Sequence, residues 1–196
     1  MTTIDYYNQN AEAFVQGTLH ADMHAHYNRF LPYLPDHARI LDLGCGSGRD
    51  TLFFLQKGYD VVPVDGSEEV CKEAERILGF AVRCLRFEEL DYYNEFDGIW
   101  ACASLLHVPK ADILSIMNKV ASALKANGVL YVSFKYGSGE EIKGERLFNY
   151  YKEDFMDSVL PQTGLVCREH WVSNDVRPDR QEEKWINIIA AKHFMM

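Results

Sequence analysis

The sequence predicts an α/β protein whose doubly wound, mostly parallel sheet is covered by helices on both faces. The first observation is that short apolar runs alternate with stretches of helical spacing between Ala38 and Phe134. The second is that about the last fifty residues carry two β-rich runs without a helix between them, which predicts an antiparallel C-terminal strand pair. The 196 residues contain no internal repeat and suit one such domain.

Each predicted element follows from its local pattern. Residues 5–30 carry polar and aromatic residues at helical spacing, which predicts one or two helices ahead of the sheet. Glycines end two later helices, at Gly58 and at Asn127-Gly128. The other predicted elements are strands at Arg39–Leu43, Tyr59–Val64, Ala81–Arg86 (weak), Gly98–Ala103, Val129–Phe134, Leu165–Val172 and Lys184–Lys192, and helices at Asp50–Lys57, Glu68–Leu78, Lys110–Ala126 and Glu153–Leu160.

Composition narrows the possible functions. The 20 Lys and Arg residues stand against 29 Asp and Glu residues, and no basic stripe is visible, which favours small molecules over nucleic acid as partners. No apolar run approaches the ~20 residues of a membrane span. The N-terminus has no secretory pattern, which predicts a cytoplasmic chain. The five cysteines form no C-x-x-C pair, which favours reduced core residues over disulfides or a zinc site.

A glycine-rich loop follows the first predicted strand, in the run Asp42-Leu-Gly-Cys-Gly-Ser-Gly48. A dinucleotide-binding loop would carry a small residue where this chain has Arg49, and the lysine of a P-loop is missing. Three alternating glycines remain, and these let a ligand approach the backbone closely beside the N-terminus of a helix. We therefore expect Asp42 and this loop to lie at the amino-acid end of a ligand.

A second signal lies at the end of the next strand, where Val61-Val-Pro-Val-Asp65 places a carboxylate. An acid at this point accepts hydrogen bonds from both hydroxyls of a ribose, each worth roughly 1.5 to 3 kcal/mol. The alternative is an ordinary turn and helix cap, since Gly66 and Ser67 follow. The glycine loop ahead of Asp65 favours ribose binding.

Four segments follow one another in the chain: ILDLGCGSGRD, VVPVDGS, FDGIWACASLLHVP and LKANGVLYVSF. This series resembles the ordered motifs of the class I S-adenosylmethionine-dependent methyltransferases. The stretch GCGSGRDTLFFLQKGYDV is similar to the small bacterial methyltransferases of the tellurite-resistance type. The resemblance covers roughly Tyr6 to Phe134, and it implies a Rossmann-like, seven-stranded sheet with S-adenosylmethionine as the cofactor.

The resemblance also implies where the cofactor is bound. Tyr7 and Arg29 resemble lid and carboxylate-binding residues, although the tyrosine could also pack an amphipathic helix. Arg86 stands where an acid usually binds adenine, so the adenine contact is expected at Phe87 or Glu88. The expected cofactor-binding residues are Tyr7, Arg29, Asp42, Gly44, Cys45, Gly46, Gly48, Asp65, Gly66, Ser67, Phe87, Glu88, Ala101 and Ser104.

His107 is the candidate general base, because it follows the fourth strand at the ligand edge and imidazole titrates near neutral pH. Since a sulfonium methyl is already activated, a strong base is optional, and the alternative is a structural histidine that caps the turn at Pro109. His20, Asp22, His24 and His26 have metal-ligand spacing, but a solvated helix face is favoured and no metal is expected.

The acceptor is expected on the same edge of the sheet. If Leu165–Val172 runs parallel to the main strands, the loop after it lies over the cofactor site, as does the segment after Phe134. Tyr136, Arg146 and Arg177 are therefore candidates to bind an anionic or strongly polar acceptor. The alternative for Arg177 is pairing on the surface with Asp179, Glu182 or Glu183.

We therefore expect one methyltransferase domain over residues 1–196. It would comprise an N-terminal helical lid at 1–37, a cofactor-binding half at 38–134, and a substrate-side insert with the terminal strands at 135–196. The expected activity is methyl transfer from S-adenosylmethionine to a small molecule. Two alternatives stay open, a non-catalytic nucleoside-cofactor-binding module and an NAD-dependent oxidoreductase on a similar sheet.

Overall fold

The computed structural model describes residues 2–192, so that Met1 and residues 193–196 of the expected domain lie outside the described residues. The α-helices in this range are α1 Thr3–Gln9, α2 Ala11–Thr18, α3 His24–Phe30, α4 Arg49–Gln56, α5 Glu68–Leu78, α6 Ile113–Ala123 and α7 Asp154–Ser158. The strands are β1 Arg39–Leu43, β2 Asp60–Asp65, β3 Arg83–Cys84, β4 Phe96–Ala101, β5 Leu124–Tyr136, β6 Glu140–Lys143, β7 Arg146–Tyr151, β8 Leu165–Asn174 and β9 Lys184–Lys192.

These strands form a mostly parallel sheet, which confirms the predicted α/β class. The parallel part has the order β3-β2-β1-β4-β5. β9 pairs antiparallel with β5, and β8 pairs antiparallel with β9, so β8 runs in the direction of the main strands. Strand order reverses between β1 and β4, and sheets of this kind bind ligands at the carboxyl ends of the strands beside such a point.

The insert after β5 adds a hairpin that the sequence analysis did not predict. β6 and β7 pair antiparallel, and β7 also pairs in parallel with the end of β5, at Lys135 and Tyr136. The seven expected strands run β3-β2-β1-β4-β5-β9-β8, and the hairpin raises the count within residues 2–192 to nine. All four residues of β6 are exposed, so no apolar alternation marks the hairpin in the sequence.

The sheet is buried on both faces, because successive side chains of a strand point to opposite sides. On β1, Leu41 packs into the larger apolar cluster, which includes α6, and its neighbour Ile40 packs into a second cluster with α3 and α4. Trp100 stacks on Tyr131 within the second cluster, with ring centroids 3.8 Å apart. The helices on both faces hold the strand ends in place, and the candidate site lies at those ends. No helix in the described part is long and apolar enough to cross a membrane.

Three elements, β1, α5 and β9, have the predicted bounds, and the ends of α5 are encoded locally. β1 spans Arg39–Leu43 and α5 spans Glu68–Leu78, as expected. At the start of α5, the Ser67 hydroxyl accepts a hydrogen bond from the Val70 N–H at 3.2 Å. At its end, Gly79 takes the left-handed conformation with φ +77°.

Other boundaries differ from the prediction. α6 ends at Ala123 because Leu124 is already extended and pairs with Phe96 of β4. Asn127 has a φ of +65°, so the Asn127-Gly128 signal marks a bend within β5 and not the helix end. The N-terminal segment forms three short helices and not one or two. The helix expected near Glu153–Leu160 is reduced to α7, followed by a 3-10 turn at Leu160–Thr163.

Candidate active site

A cavity of about 1360 Å³ opens at the carboxyl ends of the strands. Its walls come from α1 to α3, from the loops after β1, β2 and β4, from the β6–β7 hairpin and from the loop between β8 and β9. Small-molecule sites commonly have volumes of about 300 to 1,000 Å³. This cavity is therefore large enough for a cofactor and a second small molecule together.

The glycine loop forms one wall, and Gly44 cannot be replaced there without strain. Its φ is +79°, and a Cβ at this position would lie 2.4 Å from the Cβ of Ser104. The N–H groups of Gly44 and Cys45 both donate to the Val64 carbonyl at 2.9 Å, which folds the loop against the end of β2. The loop therefore presents backbone and not side chain to the cavity.

Asp65 lies beside this loop and is held by backbone donors. Its Oδ2 accepts from the Gly46 N–H at 3.1 Å, and its Oδ1 accepts from the Ser67 N–H at 2.9 Å. Burial raises the pKa of the Asp65 carboxyl, and these N–H groups partly offset that effect. Each carboxylate oxygen keeps a second lone pair, so Asp65 can still accept hydrogen bonds from two hydroxyls of a ligand.

Nine of the fourteen expected cofactor contacts line the cavity. They are Tyr7, Gly44, Cys45, Gly46, Asp65, Gly66, Phe87, Glu88 and Ser104. The structure places Gly48, Ser67 and Ala101 behind this wall. Gly48 precedes α4 and packs against Leu78, Ser67 caps α5 and donates to Asn8 Oδ1 at 2.7 Å, and Ala101 is buried in β4.

Asp42 also lies behind the wall, which corrects the expectation that it stands at the ligand. It is only 1% exposed, and its Oδ2 accepts from the Thr51 hydroxyl at 2.6 Å. Burial and the nearby charge of Asp50 raise the pKa of the Asp42 carboxyl. Asp42 therefore joins β1 to α4 beneath the glycine loop.

Arg29 does not line the cavity, which corrects its expected place at the cofactor. Its guanidinium pairs with Glu169 of β8 and lies 4.5 Å from the centroid of the Trp171 ring. Arg49 lines the cavity instead, with its Nε 2.7 Å from Asp50 Oδ1. A positive charge in the first turn of a helix is unfavourable, because it opposes the helix dipole. The position of Arg49 in such a turn is the one sequence signal that could have indicated a specific role for it.

Asp50 connects the N-terminal helices to the sheet. It accepts hydrogen bonds from the Tyr27 hydroxyl and, at 2.8 Å, from Trp100 Nε1. Burial opposes ionisation of Asp50, but Arg49 and these donors outweigh burial and lower the pKa of the carboxyl. Arg49 also donates to the Thr18 carbonyl at 3.2 Å, so one buried ion pair holds the end of α2 and the middle of α3 at the cavity.

His107 lies in the cavity wall between α1 and the hairpin. Its Nδ1 is 2.6 Å from the Leu147 carbonyl, and its Nε2 is 2.8 Å from the Tyr7 hydroxyl. Because a carbonyl can only accept, Nδ1 carries the proton and Nε2 accepts from Tyr7. Burial lowers the pKa of His107 to about 4, and the charges of Arg146 and Lys135 act in the same direction. His107 is therefore neutral at pH 7, with its basic nitrogen beside the cavity.

Arg146 of β7 lines the cavity next to this pair. Its guanidinium lies 4.4 Å from the centroid of the Tyr6 ring and 5.0 Å from that of Phe148. No carboxylate within residues 2–192 pairs with Arg146, and its buried Nε has no hydrogen-bond partner there. The two rings therefore hold a cation whose charge is not neutralised by the protein around it.

The other two expected acceptor residues are placed differently. Arg177 lines the cavity, but its Nη2 pairs with Asp175 Oδ2 at 2.6 Å and not with the partners considered from the sequence. Tyr136 lies outside the cavity, on a small groove beside Lys143, and its hydroxyl donates to Glu153 Oε2 at 3.2 Å. Arg146 is thus the expected acceptor residue that lines the cavity and is not neutralised.

The comparisons with known proteins agree with this geometry. Residues 40–128, somewhat less than half of the chain, match a family model described as a methyltransferase domain. The chain is 20% identical to the 1,6-didemethyltoxoflavin-N1-methyltransferase of Burkholderia thailandensis, solved with bound 1,6-didemethyltoxoflavin and S-adenosylhomocysteine. The TM-score is 0.79 over 97% of this chain and 87% of that one. At this identity the likeness shows the fold, which is that of the S-adenosylmethionine-dependent methyltransferases.

Curated relatives match over shorter segments. YqeM of Bacillus subtilis, a methyltransferase by name, is 28% identical over 118 residues, which are 55% of this chain and 48% of the relative. The ubiquinone biosynthesis O-methyltransferase of Bradyrhizobium diazoefficiens is 32% identical over 100 residues, which are 48% of this chain and 39% of the relative. The chain thus spans half or less of the length of these relatives. Together the matches support a class I methyltransferase with S-adenosylmethionine as its cofactor, and neither alternative from the sequence analysis is favoured.

Proposed function

We propose that this chain transfers a methyl group from S-adenosylmethionine to an oxygen or nitrogen nucleophile on a small, polar or anionic acceptor, with His107 as the general base. The orientation of His107 carries the proposal. Its Nδ1 proton is bound to the Leu147 carbonyl, so its basic Nε2 lies at the cavity that also contains the glycine loop and Asp65. A base in this state can accept a proton without first losing one.

The glycine loop, Asp65, Phe87 and Glu88 form what we call the first wall of the cavity, and these residues fit the proposed cofactor. Asp65 keeps lone pairs for two ribose hydroxyls, and the backbone at Gly44 and Gly46 gives close approach to the amino-acid end. Phe87 and Glu88 line the part of the cavity expected for adenine. When bound, S-adenosylmethionine supplies an electrophilic methyl group. The protein then has to orient the acceptor, exclude water and take up a proton.

Tyr7, His107, Arg146 and Leu147 form what we call the second wall, and this wall supplies these functions. The acceptor's O–H or N–H replaces the Tyr7 hydroxyl at His107 Nε2, and the proton moves to that nitrogen as the nucleophile attacks. Arg146 binds an anionic or strongly polar group of the acceptor, since no carboxylate within residues 2–192 pairs with it and its Nε has no hydrogen-bond partner there. Relatives named for ubiquinone biosynthesis and for the N1 methylation of 1,6-didemethyltoxoflavin support a small acceptor. The resemblance to methyltransferases of the tellurite-resistance type lies in the cofactor-binding half and therefore does not identify the acceptor.

A methyl-transfer screen tests the proposal. The protein is incubated with S-adenosylmethionine labelled in the methyl group and with panels of phenols, hydroxy acids, amino acids and heteroaromatic amines. We expect transfer to at least one of them, and Arg146→Gln should raise the KM for an anionic acceptor by about 10- to 100-fold, the value of one charge-assisted hydrogen bond. The matched control is Arg168→Gln, on an exposed position of β8.

Two results would contradict the proposal. Stabilisation of the protein against heat by NADH, but not by S-adenosylhomocysteine, would support the oxidoreductase alternative. Binding of S-adenosylhomocysteine without methyl transfer to any acceptor in the panels would support a non-catalytic module.

A further inference from the structure

A second imidazole, His26 of α3, lines the same cavity. It is only 5% exposed, which corrects the expectation of a solvated helix face. Its ring stacks on Trp171 with centroids 5.8 Å apart and planes 28° apart, and Tyr131 contacts it edge-on at 6.2 Å. Packing against β5 and β8 therefore holds the ring in one orientation.

A chain of hydrogen bonds behind His26 determines which of its nitrogens carries the proton. Asn187 donates through Nδ2 to the Ser173 hydroxyl at 3.0 Å and to the Trp171 carbonyl at 3.3 Å, so its Oδ1 is the acceptor. Tyr131 donates its single hydroxyl proton to that Oδ1 at 2.7 Å. The Tyr131 oxygen, 3.4 Å from His26 Nδ1, must then accept from it. His26 is therefore the Nδ1–H tautomer.

This tautomer leaves a lone pair on Nε2 of His26. Burial lowers the pKa of His26, which keeps the ring neutral at pH 7. Within residues 2–192, Nε2 has no hydrogen-bond partner and is not enclosed. The equivalent nitrogen of His107 is occupied by the Tyr7 hydroxyl. The cavity therefore contains two neutral imidazoles of the same tautomer, and the nitrogen of His26 is the open one.

Four charged groups act on His26: Asp50 and Arg49, which line the cavity, and Arg29 and Asp22, which do not. Arg49 pairs with Asp50, and Arg29 pairs with Glu169. In the cavity beside His26, a charged group of a ligand thus meets no side chain whose charge is unpaired. A neutral O–H or N–H group, by contrast, meets the lone pair of His26 Nε2. A ligand that covers this nitrogen without supplying a donor leaves it unpaired, so a ligand that supplies the donor is preferred over one that lacks it.

We propose that His26, with Tyr131 and Asn187 behind it, forms a subsite that binds a neutral hydrogen-bond donor, an O–H or N–H group, of the acceptor. This inference rests on the proposed function, because the donor belongs to the molecule that is methylated. His26 Nε2 accepts the bond, and Tyr131 and Asn187 are positioning residues that maintain the tautomer.

Matched small probes test the subsite without knowledge of the acceptor. The protein is labelled with ¹⁵N at histidine, saturated with S-adenosylhomocysteine, and titrated with phenol and with anisole, which has a similar ring but no donor. We expect phenol to shift the Nε2 resonance of His26, assigned through His26→Gln, and anisole to leave it unchanged. Tyr131→Phe removes the acceptor of the Nδ1 proton and should raise the dissociation constant of phenol about fivefold.

Absence of a phenol response at His26, an equal response to anisole, or a protonated Nε2 at pH 7 overturns the proposal. A separate variant, His26→Phe, keeps an aromatic ring against Trp171 but has no lone pair. It should raise the KM of a donor-bearing acceptor about tenfold and leave the affinity for S-adenosylhomocysteine unchanged. If His26→Phe loses that affinity, His26 belongs to the cofactor site and the subsite is wrong. If the wild-type protein itself fails to bind S-adenosylhomocysteine, the proposed function fails instead.

Discussion

The two walls of the cavity are built in different ways. The first wall is formed by loops directly after β1 and β2, where the backbone N–H groups of Gly46 and Ser67 bind the Asp65 carboxylate. The second wall depends on side chains and carbonyls brought together from distant parts of the chain. Tyr7, His107 and Leu147 form one hydrogen-bonded row there, although 140 positions separate the first from the last.

This difference explains what a motif can and cannot indicate. A backbone wall is specified by a few consecutive residues, so that a short segment of sequence predicts its geometry. A wall made of side chains is specified by which helices and strands pack together. Its chemistry therefore depends on which charged side chains are left without an oppositely charged neighbour. Arg146 and Arg177 are indistinguishable in the sequence, but Asp175 neutralises only Arg177.

Replacement of the proposed base, His107, should give the largest effect. His107→Gln removes the basic Nε2, and loss of a general base typically lowers kcat by a factor of about 10² to 10⁴. The affinity for S-adenosylhomocysteine should stay within about twofold of the wild-type value, because His107 belongs to the second wall. The measurement is single-turnover methyl transfer with calorimetric binding, and the control is His170→Gln, on an exposed position of β8. A parallel loss of cofactor binding would show that the walls are not separate.

The burial of His107 should also appear in the pH dependence of stability. The pKa of His107 in the folded chain is about 4, against 6.5 for an unperturbed imidazole, so the unfolded chain binds the proton first. The stability present above pH 6.5 is therefore lost as the pH falls towards 4, by up to about 3 kcal/mol. Denaturant unfolding at a series of pH values measures this loss. The difference between wild type and His107→Gln isolates it from the carboxylates, and equal slopes for the two proteins would contradict the assignment.

Addition of one methyl group in the glycine loop should disrupt the first wall. Gly44→Ala places a Cβ against Ser104 and strains a left-handed backbone, which we expect to destabilise the chain by about 1 to 3 kcal/mol and to weaken S-adenosylhomocysteine binding at least about tenfold. Gly58→Ala is the matched control, since Gly58 has a φ of +87° with nothing within 4 Å of the added Cβ. Thermal unfolding and calorimetry compare the two variants. Equal effects would mean that backbone strain alone, and not close packing of the loop, is responsible.

The smallest effect is expected at Arg29. Its ion pair with Glu169 is partly exposed, and such pairs contribute about 1 kcal/mol or less. Because Arg29 does not line the cavity, Arg29→Ala should leave the affinity for S-adenosylhomocysteine unchanged. A tenfold loss of that affinity in calorimetry would restore the carboxylate-binding role expected from the resemblance.

The sequence predicted best what local chemistry specifies. β1 and α5 have the predicted bounds because a serine cap and a left-handed glycine mark the ends of α5, and a glycine loop ends β1. Parallel pairing of the main strands followed from the alternation of elements, and β8 has the direction that the sequence analysis considered only as a condition. The roles of the individual site residues stay predictions.

The sequence failed where tertiary contacts decide the outcome. The exposed β6 lacks the alternation that would have indicated the hairpin. Asp42 is buried beneath the loop because Thr51 satisfies it, and His26 is buried because Trp171 of a distant strand covers it. Neither partner is adjacent in the chain, so no local pattern could have indicated these contacts.

The hydrogen bond from His107 to the Leu147 carbonyl has a consequence for how such a site can change over generations. Every amino acid carries a carbonyl, so the tautomer of the base survives replacement of the side chain at position 147. The neighbouring side chains of β7, including Arg146, can then be exchanged without loss of the proton acceptor. A protein built in this way can acquire a new methyl acceptor through substitutions in one short hairpin while the proposed methyl-transfer chemistry is retained.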